Sequence, residues 1–488
     1  IVYGLALLFI FCYSIIQIQL VLKYRKYKRI QVLRIQEAKV PDHLPYVTVQ
    51  LPVFNELYVA ERLIDSIAGL DYPKDKLEIQ VLDDSTDETV DLIAKRVEYW
   101  KQQGLDISQI RRDKRNGFKA GALAEGMRLA KGEFLAIFDA DFIPKPSFLK
   151  GTIGVFNDPA IGMVQTRWEH LNANYSLLTK LQAFGLDAHF SVEQGGRNAG
   201  GHFMNFNGTA GVWRKASIFD AGGWQSDTLT EDLDLSYRAQ LKGWKFCYLE
   251  EIGAPAELPA EMNALKTQQF RWNKGAAECT RKNLGKVLRS ADLGIATKLN
   301  AVFHLMNSAV FICIVVISLL SIPALYVKNY HLEYALIFQI ASGFIISLPI
   351  LAIFYWTALR SEKKGVFTLL RFLALFPFFL SVSMGLSLHN ALAVLEGYMG
   401  KKTPFIRTPK FNIGKKGGGS WKNNVYLKKH INPLTIIEIA FGAYFIFGIF
   451  LGFEYRDYGL MPFHLLLALG FIYVAFYSIF HSIKIASR

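Results

Sequence analysis

Apolar residues in this chain gather into long runs near its two ends, with a stretch of ordinary globular composition between them. Ile1–Leu22 carries no charge and is long enough to cross a bilayer as a helix. After the globular stretch come Ala301–Tyr326, Tyr334–Trp356, Val366–Ala393, Pro433–Phe453 and Pro462–Ile483. In lipid, backbone polar groups must be satisfied internally, so runs like these fold as helices. The 488 residues are 51% hydrophobic with a mean hydropathy of +0.20, and many basic residues behind the net charge of +14 flank the apolar runs. That placement fits membrane topology, and no nucleic-acid-binding signature accompanies it. Cys12, Cys247, Cys279 and Cys313 form no CxxC and imply neither a zinc site nor a disulfide framework.

Lys23, Arg25, Lys26, Lys28 and Arg29 follow the first run without a small-residue cleavage site, which reads as a retained anchor with its N-terminus outside. Parity decides the rest. If Val366–Ala393 spans, the basic stretch Lys401–Lys429 falls outside, against the positive-inside rule. If it lies along the membrane or re-enters, that stretch, Lys484 and Arg488 stay inside, and about five spans remain. The second arrangement is expected. It divides the chain into an anchor (1–22), a basic cytoplasmic linker (23–40), a globular domain ending in amphipathic interfacial helices (41–290), transmembrane and interfacial helices (291–395), a cytoplasmic loop (396–432) and a C-terminal hairpin (433–488). Gly417–Ser420 reads as flexible linker.

The globular stretch alternates short buried-looking strands with helical patterns. Val47–Val53, Glu78–Leu82 and Phe134–Phe138 are the strands, and Val59–Ala68 and Val90–Lys101 are helical, which predicts βαβ units and a mostly parallel sheet. Ligands bind beyond the carboxyl ends of such strands, where this chain places its polar motifs. The second strand runs into Asp83 and Asp84, suited to a base and ribose or equally to capping a helix. The third ends in Asp139 and Asp141, which on extended chain point the same way and can face one hard cation. Gly117 and Gly121 allow close backbone approach, with Lys119 between them to neutralise phosphate. Asn207–Thr209 offers hydroxyl partners or a tight turn. Thr230 is a candidate N-cap, with Glu231 and Asp232 in the first turn and Asp232 a candidate general base. Gln268, Arg271 and Trp272 share one helix face. Gln165–Trp168 imitates that motif one residue short and reads as structural.

Together and in this order, these motifs resemble the membrane family-2 glycosyltransferases that elongate polysaccharides, such as cellulose, hyaluronan and mannan synthases. The wording around them is most similar to the glucomannan/mannan-synthase-like branch. The resemblance implies a GT-A (Rossmann-like) α/β catalytic domain plus an α-helical transmembrane region. It implies that Asp83 and Asp84 contact the nucleoside, with Asn55 and Glu56 nearby. Lys119 would approach the diphosphate, and Asp139 and Asp141 would hold Mg²⁺ or Mn²⁺. Gln268 and Arg271 would face the donor, while Asn207, Gly208, Thr209 and Trp272 position the acceptor. Asp232, beside Glu231, would deprotonate the acceptor hydroxyl. One base without a protein nucleophile implies inversion, giving a β-linkage. Phe405–Lys410 resembles the FxVTxK gating loop through Phe405, Thr408 and Lys410, with Arg407 where valine is usual.

The implied partners are a nucleotide-sugar (UDP-glucose or GDP-mannose), a polysaccharide or lipid-linked acceptor, the bilayer, and export or regulatory subunits. The expected location is a multi-pass membrane protein with its catalytic domain and C-terminus cytoplasmic. Two other readings stay open from sequence: transfer of a single sugar to a lipid, and a non-catalytic nucleotide-sugar-binding scaffold or transporter.

Overall fold

The computed structural model describes residues 1–37, 41, 43–362, 365–413, 424–427 and 432–486. The linker at 417–420 and the C-terminal Arg488 lie outside the described residues, as does every basic position between 414 and 431. At the centre is a seven-stranded sheet of order β3-β2-β1-β4-β6-β5-β7. Its strands are β1 (Val47–Val53), β2 (Leu77–Asp83), β3 (Asp106–Arg111), β4 (Phe134–Ile137), β5 (Ile161–His170), β6 (Gly211–Arg214) and β7 (Lys245–Ala256).

The alternation within β1 and β2 explains how both faces are filled. Val47, Val49 and Leu51 join one apolar core with Leu77, Ile79 and Val81. On the other face the polar residues pair across the strands: Thr48 Oγ1 donates to Glu78 Oε2 (2.6 Å) and Gln50 Nε2 to Gln80 Oε1 (3.0 Å). Buried polar groups are tolerated when bonded in this way. Among the paired strands only β6 runs antiparallel to its neighbours, so it begins where β4 ends. That reversal brings residues 207–211 beside the acidic turn after β4, and Thr209 Oγ1 accepts from the Asp139 amide at 2.9 Å.

The helices used below are α1 (Val2–Glu37), α2 (Ala60–Ala68), α3 (Thr89–Gln102), α4 (Phe118–Leu129), α5 (Leu177–Ala188), α6 (Gln194–Gly200), α7 (Glu231–Leu241), α8 (Met262–Arg289), α9 (Ile295–Leu305), α10 (Ala309–Tyr330), α11 (Ser347–Glu362), α12 (Val366–Gly385), α13 (Ser387–Met399), α14 (Leu434–Glu454) and α15 (Met461–Ala486). The expected helices at 59–68 and 90–101 appear as α2 and α3. Of the expected linker 23–40, residues 23–37 continue α1 as one helix, and 38–40 lie outside the described residues. Tyr24 and Tyr27 hold α1 on β7 by hydrogen bonds to Glu250 and the Tyr248 carbonyl. The run expected at 301–326 is broken by a turn at 306–308, which separates α9 from α10.

Among the described residues, six helical segments are long and apolar enough to cross a membrane, Val366–Gly385 among them. Yet both ends of the α12–α13 pair lie at the globular domain. Glu362, just before α12, pairs with Arg167 of β5, and Phe411, after α13, donates its amide to Glu257 Oε2 at 3.1 Å. Between these ends α12 crosses α15 so tightly that a Cβ on Gly385 would sit 2.3 Å from the Gly470 carbonyl oxygen.

Helix α8 joins the two halves. The Glu261 carboxylate caps its start by accepting from the amides of Asn263 and Ala264. Lys266 pairs with Glu438 of α14 at 2.8 Å, both fully enclosed, and His389 of α13 bonds the Lys266 carbonyl oxygen at 3.0 Å. Removing one partner of a buried ion pair leaves an uncompensated charge and costs about 3–5 kcal/mol. Lys266→Met is therefore expected to lower the unfolding temperature of detergent-solubilised protein clearly, while adding Glu438→Leu restores most of the loss.

Candidate active site

The carboxyl ends of β1, β2 and β4, the start of α7, one face of α8 and the loop 405–410 enclose one cavity. It brings together Glu56, Asp84, Lys119, Asp139, Asp141, Asn207, Gly208, Glu231, Asp232, Gln268, Arg271, Trp272, Phe405, Arg407, Thr408 and Lys410. Three expected site residues do not line it. The Asp83 carboxylate accepts from the Ser85 amide and Gln109 Nε2, which holds the end of β2. Asn55 Oδ1 accepts from the Thr86 amide, tying the end of β1 to the turn after β2. Thr209 supports Asp139 from behind, as described above.

The acidic pair after β4 departs from the expected geometry. The strand stops at Ile137, and the Phe142 amide donates to the Asp139 carbonyl, so Asp139–Phe142 is a turn and not extended chain. Asp139 Oδ1 meets Lys119 Nζ at 2.5 Å, while Asp141, almost fully buried, meets Lys410 Nζ at 2.8 Å. Asp141 Oδ1 is buried without a hydrogen-bond partner. Among the described residues no third His, Cys, Asp or Glu completes a metal-ligand group. Two carboxylates with a free buried oxygen suit a cation that takes its other ligands from phosphate and water, as Mg²⁺ commonly does.

The glycines at the start of α4 serve the chain itself. Gly117 caps the helix at φ 71°, where L side chains are strained. A Cβ on Gly121 would fall 2.0 Å from the Asn116 carbonyl oxygen. Neither lines the cavity, but together they fix the turn that aims Lys119 inward. Thr230 occupies the N-cap position of α7 without capping it; its hydroxyl lies 3.4 Å from Cys279 Sγ. Helix α8 instead holds this turn: Glu278 accepts from the Leu229 amide at 2.7 Å, and Gly275 leaves room for the Thr230 side chain.

Charge and burial set the chemistry. Burial, then the neighbouring Glu231 charge, push the Asp232 carboxyl up to about 7, against the pull of Lys119. Burial also lifts Glu56 to about 7 despite Arg407 at 2.7 Å. Burial lowers the Arg271 guanidinium from its ordinary value, opposed by the charges of Asp139, Glu231 and Asp232. For Lys119, burial is outweighed by Asp139 and Glu231, and its ammonium titrates higher than usual.

Several cavity residues carried no signal in the sequence. Arg115 packs its guanidinium 3.4 Å from the Phe54 ring centre and lies near the Asp84 carboxylate. Glu257 receives the Phe411 and Asn412 amides. The imitation motif Gln165–Trp168 is only partly structural. Gln165 bonds backbone carbonyls and Arg167 pairs with Asp187, but Trp168 enters the cavity wall, 6.5 Å from Trp272. Continuation of β5 through His170 puts it there, which an apolar count ending at Val164 misses.

The loop 405–410 forms the roof. Phe405 stacks on Phe118 at 5.7 Å and lies under Arg271, and Thr408 Oγ1 accepts from Arg271 Nη2 at 3.1 Å. Arg407, the departure from the gating-loop pattern, pairs with Glu56 and stacks on Tyr426. With this roof in place the cavity holds about 180 Å³, below the roughly 300–1,000 Å³ of small-molecule sites.

A crevice at the carboxyl ends of a Rossmann-like sheet, walled by membrane-anchored helices and carrying an acidic turn, is the GT-A class of fold in a multi-pass membrane protein. Residues 45–275 match glycosyltransferase like family 2. Glucomannan 4-beta-mannosyltransferase 1 of Oryza sativa subsp. japonica is 39% identical, over 59% of this chain and 58% of its own length. Glucomannan 4-beta-mannosyltransferase 9 of Arabidopsis thaliana is 33% identical, over 83% of this chain and 75% of its own. A solved mannosyltransferase of Pyrobaculum calidifontis, in complex with GDP-Man and Mn²⁺, covers 80% of this chain and all of itself at 17% identity and a TM-score of 0.48. The chain belongs to glycosyltransferase-like family 2, with the glucomannan 4-beta-mannosyltransferases as its relatives. It spans about 58–60% of the length of the first two of them.

The ion pair of Arg407 yields a direct expectation. Arg407→Met leaves Glu56 without its cation and loosens the roof. Amide hydrogen exchange across 405–412 should speed up by roughly tenfold, the equivalent of about 1.4 kcal/mol.

Proposed function

We propose that this protein is an inverting, metal-dependent hexosyltransferase that extends a β-linked polysaccharide from a nucleotide-sugar, with GDP-mannose the favoured donor. The observation that carries the reading is Asp232, a carboxylate titrating near neutrality, sharing one small cavity with the Asp139–Asp141 turn and the Arg271 guanidinium. The relatives' names favour mannosyl transfer and a 4-β linkage.

Asp232 takes the proton of the acceptor hydroxyl, whose oxygen forms the new bond at the anomeric carbon as the bond to the diphosphate breaks. Lys119 and Arg271 face the charge that develops on the departing nucleoside diphosphate, the kind of fixed electrostatic aid that contributes most to such steps. Asp139 and Asp141 would hold Mg²⁺ or Mn²⁺, which supplies further neutralisation of the diphosphate. Asp84, with Arg115 and Phe54, walls the side for the nucleoside, and Glu56 and Gln268 border the donor. Trp168 and Trp272 offer ring faces to the acceptor sugar, with Asn207 and Gly208 beside it. Phe405, Arg407, Thr408 and Lys410 act as a gate that closes over the donor.

The α12–α13 pair reads as re-entrant, since both of its ends meet the catalytic domain. Five helices then cross, and the catalytic domain, the gate and the C-terminus share the cytoplasmic side.

Purified protein should release GDP from GDP-mannose only with divalent metal, in preference to UDP-glucose or UDP-GlcNAc, and give a ladder of long products on a sizing gel. A single glycolipid product would defeat polymer synthesis. Asp232→Asn should lower transfer by about 10²–10⁴-fold, the usual range for losing a general base. Because the base must be ionised, the wild-type rate should fall as pH drops through about 7. Trp272→Ala and Trp168→Ala should each impair elongation more than donor hydrolysis; equal losses would assign the rings to the fold alone.

A further inference from the structure

Helices α5 and α6 form one continuous rod, joined by a π-helical turn at His189–Glu193. Such wide turns are rare and concentrate at functional sites. Here the turn carries a chain of side chains toward the cavity. His189 Nδ1 lies 2.6 Å from Glu193 Oε2, and its Nε2 lies 3.0 Å from Asn207 Oδ1. Glu193 also receives Gln17 Nε2 of α1 at 3.2 Å and Arg197 Nη2 at 3.3 Å. Asn207 is fixed from two more sides: Asn205 Nδ2 donates to its Oδ1 at 2.8 Å, and its own amide donates to Gln165 Oε1 at 2.9 Å.

His189 does not line the cavity, whereas Asn207 does. With its Oδ1 held by His189 and Asn205, Asn207 keeps for its Nδ2 only a long 3.5 Å contact to the Asn205 carbonyl. That leaves the amide hydrogens as donors at the wall next to Gly208. A Cβ at Gly208 would stand 2.9 Å from Asp232 Oδ2, so this wall adjoins the candidate base.

We propose that His189, held by Glu193, is a positioning residue that fixes the Asn207 amide so that it binds an acceptor-sugar hydroxyl beside Asp232. The inference rests on the hexosyl-transfer reading above and adds to it an oriented hydrogen-bond donor supported from the first membrane helix. Both ring nitrogens face oxygens, Nδ1 the Glu193 carboxylate and Nε2 the Asn207 side-chain oxygen. Glu193 is held as a carboxylate against the ring: burial would raise its carboxyl, but the His189 hydrogen bond and the Arg197 charge outweigh burial and hold it well below the usual range.

The test uses full-length protein in nanodiscs and β-linked manno-oligosaccharides, with binding read from tryptophan fluorescence and turnover from GDP release. Losing one oriented hydrogen bond of about 1–1.5 kcal/mol should weaken oligosaccharide binding, and raise the acceptor KM, by about tenfold in His189→Ala. Donor KM and acceptor-free donor hydrolysis should stay within about twofold of wild type. His189→Gln keeps an N–H near the position of Nε2 and should recover most of the loss, while Asn207→Ala combined with His189→Ala should add little to either alone.

Unchanged oligosaccharide binding in His189→Ala would overturn the inference. So would a parallel loss of donor hydrolysis, or a glutamine variant no better than alanine. A wild type that turns over no donor, yet binds the oligosaccharide more tightly than His189→Ala does, would defeat the transfer reading and leave the positioning role standing.

Discussion

Charge held out of water is the constraint on which this molecule turns. The cavity gathers Glu56, Asp139, Asp141, Glu231 and Asp232 against Lys119, Arg271, Arg407 and Lys410. Carboxylates crowded into so little space persist only when cations reach them. Those cations come from the start of α4, from α8 and from the roof loop. Arg407 lies on Glu56, Lys410 on Asp141 and Lys119 on Asp139. Sheet, membrane-anchored helix and roof are thus parts of one electrostatic assembly, in which each carboxylate waits on a residue far away in sequence.

How much of this was legible in the sequence follows from the reach of the interactions. The strands β1 and β2 were readable because their buried runs are local, and the face shared by Gln268, Arg271 and Trp272 was readable because helical spacing is local too. The ordered motifs then pointed to the family. What escaped depends on contacts across the chain. Strand spacing alone predicts an extended Asp139–Asp141 segment, but the Asp139 carbonyl closes a turn, and each carboxylate is aimed by a lysine from another segment. Asp83 reads like Asp84 until Gln109 of β3 claims it. Trp168 looked like a decoy because its worth comes from Trp272, a neighbour only after β5 and α8 have packed. Arg407 had no role until Glu56 and Tyr426 were seen beside it.

The membrane half shows the same limit. Length and apolarity mark Val366–Gly385 as able to cross, while the pairing of Glu362 with Arg167 and of the Phe411 amide with Glu257 ties both flanks of the α12–α13 pair to the globular domain. The preference for keeping 401–429 with the catalytic domain came from charge placement. In the structure Phe405, Arg407, Thr408 and Lys410 of that stretch line the cavity.

Helix α8 bears on how such proteins can be rebuilt. One unbroken rod presents Gln268, Arg271 and Trp272 to the cavity, clasps Glu438 through Lys266, and meets Glu396 through Lys274. Each residue of a helix advances the face by about 100°, so inserting or deleting a single position would set these duties against one another. Sheet domain and membrane helices are therefore not separable modules at this seam. A chimera that grafts one relative's sheet onto another's membrane bundle would have to carry α8, α13 and the roof loop across as a single inheritance.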